Sequence, residues 1–487
     1  MKQSVSKGLF WKLFERFGVQ GVQFVLNIVL ARILDPDLYG VVAIMTIFTA
    51  LADVFIQRGF NTALIQNKDV AEEDYSSVLW VSLGIAGIMY ASIFFASPVI
   101  AELYTMPQIV TPLRVLALML FPGAMNSVQL AKVSREMNFK KVFFSNVAAT
   151  LVSGCVGIAI AYAGGGLWAL VAQAVLNVLI SCVVMRFTVK LKIIFKCDLR
   201  RIGVLFSFGW KLLVSGLIDT LYTDLRSLVI GIKYDSATLG YYDRGKKFQK
   251  FIIDAVNGTV QSVMLPALSS YQDDKSKIKE MMRTSMTVSS YIIFPVMAGL
   301  AGVATPLISL LLTDKWLPCV PYLQIYCFTL AFYPIHSCNL QAINAMGRSD
   351  LFLVLEVIKK TLGIASLVVA VLCFDSPIAI AMTGVVTTFI SCFINASPNK
   401  KLVGYSYFEQ MIDVLPSFVL SLIMFLGVWG IGYLLNTVHP ILTIMIQVVV
   451  GVIFYFAASL IFKLKPLFMI INIIQTKLLK GRGKKLC

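Results

Sequence analysis

Apolar runs of about 20 residues recur along the whole chain, separated by short polar stretches. That is the length an α-helix needs to cross ~30 Å of hydrocarbon. The pattern predicts spans at about 9–34, 38–60, 77–97, 110–130, 142–163, 166–186, 204–231, 240–266, 285–312, 320–345, 352–373, 376–396, 414–435 and 440–462. The alternating strands of a membrane barrel are absent. The expected fold is therefore all-α, a polytopic membrane protein of about 14 transmembrane helices.

Two of these apolar helices carry a polar stripe. In WKLFERFGVQGVQFVLN, Lys12, Arg16, Gln20, Gln23 and Asn27 follow at steps of four, four, three and four. At 100° per residue they share a sector of roughly 80° on one helix face. In WKLLVSGLIDTLYTDLR, Lys211, Ser215, Asp219, Tyr222 and Arg226 repeat the same steps after another Trp. A second correspondence joins Ser127-Val-Gln-Leu and the span after it to Ser337-Cys-Asn-Leu and the span after that. Both point to a duplicated chain. With six spans per repeat, two six-helix bundles at 1–190 and 191–400 are related by a parallel duplication, an axis along the membrane normal. Two extra helices follow at 401–463, then a basic cytoplasmic tail at 464–487 with the amphipathic look of a segment lying on anionic lipid.

Composition agrees and excludes a soluble globular chain: 58% of residues are hydrophobic and 14% charged. The net charge of +17 does not make a nucleic-acid surface, because it is distributed topologically. If the N-terminus is cytoplasmic, the loop Lys and Arg fall on the inner segments, with Lys233 and Lys315 alone outside. Both termini are then cytoplasmic. The first apolar segment is too long and too charged, at Lys12, Glu15 and Arg16, for a cleavable signal, so it is expected to remain as the first span. The nine cysteines show neither paired nor metal-ligand spacing and read as small core residues.

Charge inside the spans is costly unless it meets a cavity or a partner. Lys247, Lys250, Asp254, Asn257 and Gln261 form a further stripe in the eighth span. Arg32, Arg244 and Lys246 stand near span ends, where snorkelling accounts for them. Glu356 and Lys360 stand at i, i+4 and can satisfy one another. Within spans the bases outnumber the acids, which favours an anion-receptive cavity between the halves over structural ion pairing. Lys12, Arg16, Lys211, Arg226, Lys247, Lys250 and Lys359 would meet phosphate oxygens. Gln20, Gln23, Asn27, Asn257, Gln261 and Tyr222 would exchange hydrogen bonds with sugar hydroxyls. Pro295, Pro306 and Pro334 read as bends, with hinges as the second possibility.

Three enzyme signals fail. Gly240-Tyr-Tyr-Asp-Arg-Gly-Lys-Lys lacks the hydroxyl residue and preceding strand of a phosphate loop. Asp35-Pro-Asp37 reads as a turn. His336 and His439 are too few and too far apart for a metal site. No catalytic, metal or cofactor site is expected.

The run ARILDPDLYGVVAIMTIFTALADVFIQRGFNTALIQ, residues 31–66, resembles the opening of the polysaccharide transporters of the multidrug/oligosaccharidyl-lipid/polysaccharide exporter superfamily, the Wzx-type flippases of the colanic acid and O-antigen branches. Length and duplication extend the resemblance over essentially the whole chain. It implies a bacterial inner-membrane flippase that moves undecaprenyl-pyrophosphate-linked oligosaccharide from the cytoplasmic to the outer leaflet by alternating access, for exopolysaccharide, capsule or O-antigen. Partners would be the lipid-linked oligosaccharide, membrane lipids, and a polysaccharide polymerase with other assembly proteins. The family's basic head-group cavity matches Arg16, Lys211, Lys250 and Lys359 in character and approximate place. With no ATP site, an ion gradient, the membrane potential or pull from polymerisation must drive transport, and Asp53, Asp219 and Asp254 are candidate coupling carboxylates. A cation-coupled drug or metabolite antiporter of the same superfamily is the alternative, against which the excess of bases argues. A membrane-embedded glycosyltransferase would need an acidic or His-bearing outer loop, and a scaffolding role can accompany any of these.

Overall fold

The computed structural model describes residues 2–472 and 475 apart from 58–59, 67–69, 190, 192, 195–198, 272 and 436; some side chains in the described helices, including those of Lys12, Arg16, Asp254, Asn257 and Gln261, also lie outside the described residues. The described residues form helices, turns and loops, with no strand among them. The chain divides into two compact units, 1–243 and 244–487.

The first unit holds α1 (Lys2–Ile33), α2 (Pro36–Gln57), α3 (Phe60–Gln66), α4 (Glu72–Leu103), α5 (Val110–Ala117), α6 (Leu120–Glu136), α7 (Phe139–Tyr162), α8 (Leu167–Thr188) and α9 (Leu199–Lys233), and the start of α10 (Ser236–Ser269). The second continues α10 and adds α11 (Lys275–Gly302), α12 (Ala304–Leu312), α13 (Val320–Ala331), α14 (Tyr333–Ala345), α15 (Ser349–Cys373), α16 (Pro377–Val403), α17 (Tyr407–Leu434) and α18 (Pro440–Ile461).

Among the described residues nine helical stretches are long and apolar enough to cross a membrane: α2, α4, Pro107–Glu136, α7, α8, α11, α16, α17 and α18. The expected number was about fourteen, and the difference has a physical source. Lys211, Asp219, Asp224 and Arg226 interrupt the apolar character of α9, and Glu356, Lys359 and Lys360 that of α15. The stretch 320–345 is split at Phe332 into α13 and α14. In α1 the apolar part described is Gly18–Ile33.

Prolines inside these helices leave a carbonyl without its amide partner, and at Pro98, Pro398 and Pro295 that oxygen is served by a side chain. Pro98 in α4 frees the Phe94 carbonyl, which accepts from Ser97 Oγ at 2.8 Å and Arg114 Nε at 3.3 Å. Pro398 in α16 frees the Ile394 carbonyl, and Ser397 Oγ donates to it at 3.0 Å. Pro295 in α11 frees the Tyr291 carbonyl, which takes the Tyr455 hydroxyl from α18 at 3.0 Å. Pro306 and Pro334, by contrast, stand in the first turns of α12 and α14, where a proline breaks little.

Within the first unit, α4 holds the chain that follows α8. Trp80 Nε1 donates to the Ile194 carbonyl and the Ile194 amide to Ser76 Oγ, each at 3.1 Å. Lys132 pairs with Glu72 at 2.7 Å, and Arg135 donates to the Leu64 carbonyl at 2.8 Å.

In the second unit a buried amide cluster ties three helices together. Asn339 Nδ2 of α14 donates to Gln410 Oε1 of α17 at 2.8 Å, and its Oδ1 accepts from Asn399 Nδ2 of α16 at 2.7 Å. At one end of α11, Lys279 donates to the carbonyl of Gly404, whose φ of +70° closes α16, and Arg283 pairs with Asp413. Outside the spans, Asp274 caps α11; the Ser276 hydroxyl and the Lys277 amide hold its carboxyl below the usual range. The Arg348 guanidinium likewise holds Asp350 down to about 2.

Candidate functional site

α9 is the most informative helix for function. It packs on α2, α3 and α4, burying Ser227, Ile230 and Gly231. The other end of its stripe is open: Lys211, Ser215 and Asp219 are exposed, and Tyr222 and Arg226 are half-buried. A helix whose uncovered face carries Lys, Ser and Asp is poorly suited to lipid and well suited to water or an anion.

α1 rests instead on α7, with Leu26 seated against Gly154, where a Cβ would fall 2.3 Å from Leu26 Cδ1. Gln23 is exposed, and Gln20 and Asn27 are half-buried beside that buried edge. The side chains of Lys12 and Arg16, which complete this stripe, lie outside the described residues. The two stripes thus stand on helices with different neighbours inside the same unit.

Asp53 of α2 is half-buried, accepts a 2.6 Å hydrogen bond from Gln57 Nε2 one turn on, and faces Gly123 of α6. A carboxylate with one oxygen tied down locally and otherwise packed among helices is chemically able to take and give a proton. The side chains of Asp254 and Asn257 lie outside the described residues.

In the second unit Lys247 and Lys250 of α10 are exposed. Lys359 is not. It pairs with Glu356 three residues earlier at 2.5 Å, the two side chains being 12% and 28% exposed. The sequence had paired Glu356 with Lys360; helical i,i+3 and i,i+4 neighbours are equally reachable, and the fold selects the first. Lys359 also lies within electrostatic reach of His336 on α14, whose ring nitrogens contact Asn395 Nδ2 at 3.2 Å and Cys392 Sγ at 3.5 Å on α16.

Arg244 and Arg114 have structural tasks. Arg244 does not snorkel: it is buried, 5.3 Å over the ring of Trp316. Arg114 lies 3.9 Å over the Phe94 ring and donates to Ser97 Oγ at 2.9 Å. Sequence reasoning missed the Asn339, Asn399 and Gln410 cluster, although the Ser-x-Asn-Leu repeat pointed to Asn339. Among the described residues no group of three or more His, Cys, Asp and Glu could hold a metal.

A family model described as "Polysaccharide biosynthesis protein" matches residues 29–321, more than half of the chain. The chain belongs to the polysaccharide biosynthesis protein family.

Two curated proteins resemble it along most of their length. The Escherichia coli (strain K12) lipopolysaccharide biosynthesis protein WzxC is 22% identical over 448 residues, 90% of this chain and 89% of its own. The Rhizobium meliloti (strain 1021) succinoglycan biosynthesis transport protein ExoT is 22% identical over 414 residues, 85% of this chain and 82% of its own. Among solved structures, the lipid II flippase MurJ in an inward closed conformation superposes with a TM-score of 0.72 at 17% identity, covering 94% of this chain and 98% of that one. An inward-facing multidrug resistance MATE transporter gives 0.61 at 14% identity, covering 80% and 98%. The fold is one shared with solved multi-helix proteins described as a lipid II flippase and a multidrug transporter.

Proposed function

We propose that this protein is a flippase that carries undecaprenyl-pyrophosphate-linked oligosaccharide units from the cytoplasmic to the outer leaflet of a bacterial inner membrane, by alternating access. The observation that carries the reading is the open polar face of α9, with Lys211, Ser215 and Asp219 exposed along a helix otherwise flanked by apolar residues such as Val214 and Ile218. Family membership and the transport and biosynthesis relatives support it.

In this reading two related bundles, 1–190 and 191–400, enclose a wet chamber, with both termini cytoplasmic. Lys12, Arg16, Lys211 and Lys359 draw in the pyrophosphate while the prenyl tail stays in lipid. Rocking of the halves hands the head group to Lys247, Lys250 and Arg226 nearer the outer face. Gln20, Gln23, Asn27, Asn257 and Tyr222 exchange hydrogen bonds with sugar hydroxyls. Asp53, Asp219 and Asp254 are the carboxylates through which an ion gradient would act. A polymerase working on the outer side would draw the equilibrium forward.

The test is export in cells that depend on this protein. Arg16→Glu combined with Lys250→Glu should cut surface polymer by at least about tenfold with normal protein level, since each reversed charge repels phosphate. Export at the normal rate would overturn the cavity.

A further inference from the structure

A pocket of about 270 Å³ opens in the second unit at the ends of α11 and α17 that lie away from Lys279, Arg283 and Asp413. Each of those helices is 28 residues long, about 40 Å at 1.5 Å per residue, so the pocket stands across the membrane thickness from the basic end. If basic ends face the cytoplasm, this pocket faces outside.

Its lining has two chemistries. Trp429 and Tyr433, one turn apart on α17, hold their rings 27° from parallel with centroids 6.4 Å apart. They are 50% and 72% exposed, and the spacing leaves no room for a third ring between them. A flat ligand would therefore lie across an outer ring face. The polar lining includes Asp314, Ser309 and Thr305, with Thr443 turned to the backbone carbonyls of Leu435 and His439. Ser309 Oγ donates to Asp314 Oδ1, which orients the carboxylate and leaves Oδ2 without a protein partner among the described residues. Thr305 is exposed and likewise offers its hydroxyl.

We infer that this pocket binds a sugar ring of the transported glycan on the outer side of the protein. The inference rests on the flippase reading above. A pyranose presents an apolar C–H face and a rim of hydroxyls. The face packs on Trp or Tyr, and the hydroxyls donate to a fixed carboxylate and exchange hydrogen bonds with Ser and Thr. The volume, near the lower limit for ligand pockets, suits a single ring better than a whole repeat unit. Trp and Tyr also gather at membrane interfaces as anchors. Anchoring explains the two aromatics but not a serine-oriented carboxylate lining the same recess. The site would retain the glycan after the pyrophosphate has crossed and present it to the machinery that consumes it.

The experiment places photoreactive p-benzoylphenylalanine at position 433, with position 426 as control because Leu426 is exposed on the same helix. Cells make the lipid-linked repeat unit but lack the polymerase. Irradiation should give a glycan-bearing adduct at 433 and none at 426. It should vanish in cells lacking the transferase that starts the glycan on its lipid carrier. Adducts carrying lipid without sugar would make the aromatics membrane anchors and overturn the site, as would glycan adducts that need the polymerase. In parallel, Trp429→Ala and Asp314→Asn should each lower export up to about tenfold, with Trp429→Phe restoring most of it. Should the unaltered protein fail to support export, the flippase reading falls. Should it export normally without an adduct at 433, only the pocket assignment falls.

Discussion

Gly40 and Gly240 meet backbone to backbone within the first unit. A Cβ on Gly40 would lie 1.8 Å from the Ser236 carbonyl oxygen, and one on Gly240 would lie 2.0 Å from that of Pro36. The approach is reciprocal: the same Cβ atoms would lie 3.1 Å and 3.2 Å from the other glycine's amide nitrogen. They occupy matching places in Asp35-Pro-Asp-Leu-Tyr-Gly40 and Asp235-Ser-Ala-Thr-Leu-Gly240, so the starts of α2 and α10 cross as like elements. Gly40→Ala or Gly240→Ala must force the helices apart, at a cost of about 1–3 kcal/mol. Thermal unfolding in detergent should show each variant melting several degrees lower, and the double variant melting little below either single one, because one separation serves both.

The Tyr455 hydroxyl serves an oxygen that Pro295 leaves idle. Tyr455→Phe should cost about 1–3 kcal/mol by leaving the Tyr291 carbonyl without a donor in a nonaqueous setting. In a Pro295→Ala background, where an amide returns to the helix, the same change should cost less. A double-mutant cycle with no coupling between 295 and 455 would show that the hydroxyl is incidental.

Asn339 and Gln129 stand at corresponding places in the two Ser-x-x-Leu stretches, and both are fully buried. Asn339 is engaged with Asn399 and Gln410, whereas neither amide atom of Gln129 has a hydrogen-bond partner among the described residues. Asn339→Leu should therefore destabilise by about 2–4 kcal/mol, while Gln129→Leu should be neutral or stabilise by about 1 kcal/mol. Equal losses in a denaturant or thermal titration would contradict this.

Lys359 and Glu356 should behave as a unit. Glu356→Gln alone leaves an ammonium, and Lys359→Met alone a carboxylate, largely buried on α15; each should cost roughly 1–3 kcal/mol. The combined variant should be closer to the parent in stability. Export by the combined variant should still fall, because the cation proposed to meet pyrophosphate has gone.

The apolar runs and the turns were legible without coordinates because each is a local property. A segment of about 20 apolar residues has few options other than a membrane helix. The striped helices were legible for the same reason, since a 3.6-residue period fixes which residues share a face. What a charge does on that face was not legible. In sequence Arg114 read as a charge within a span, Arg244 as a snorkelling one near a span end and Lys359 as a cavity cation. Tertiary contacts sent the first to a proline-freed carbonyl, the second to the Trp316 ring and the third to Glu356.

The sequence by itself determined a helical membrane protein and its family, because hydrophobicity and periodicity are written residue by residue. Only the tertiary structure decided which polar groups are buried in holding helices together and which are exposed, as at Lys211 and Ser215 on α9. Partners for a buried polar atom come from distant parts of the chain: Tyr291 finds Tyr455, and Asn339 finds Gln410. In a medium without water that pairing is settled by packing, not by sequence spacing.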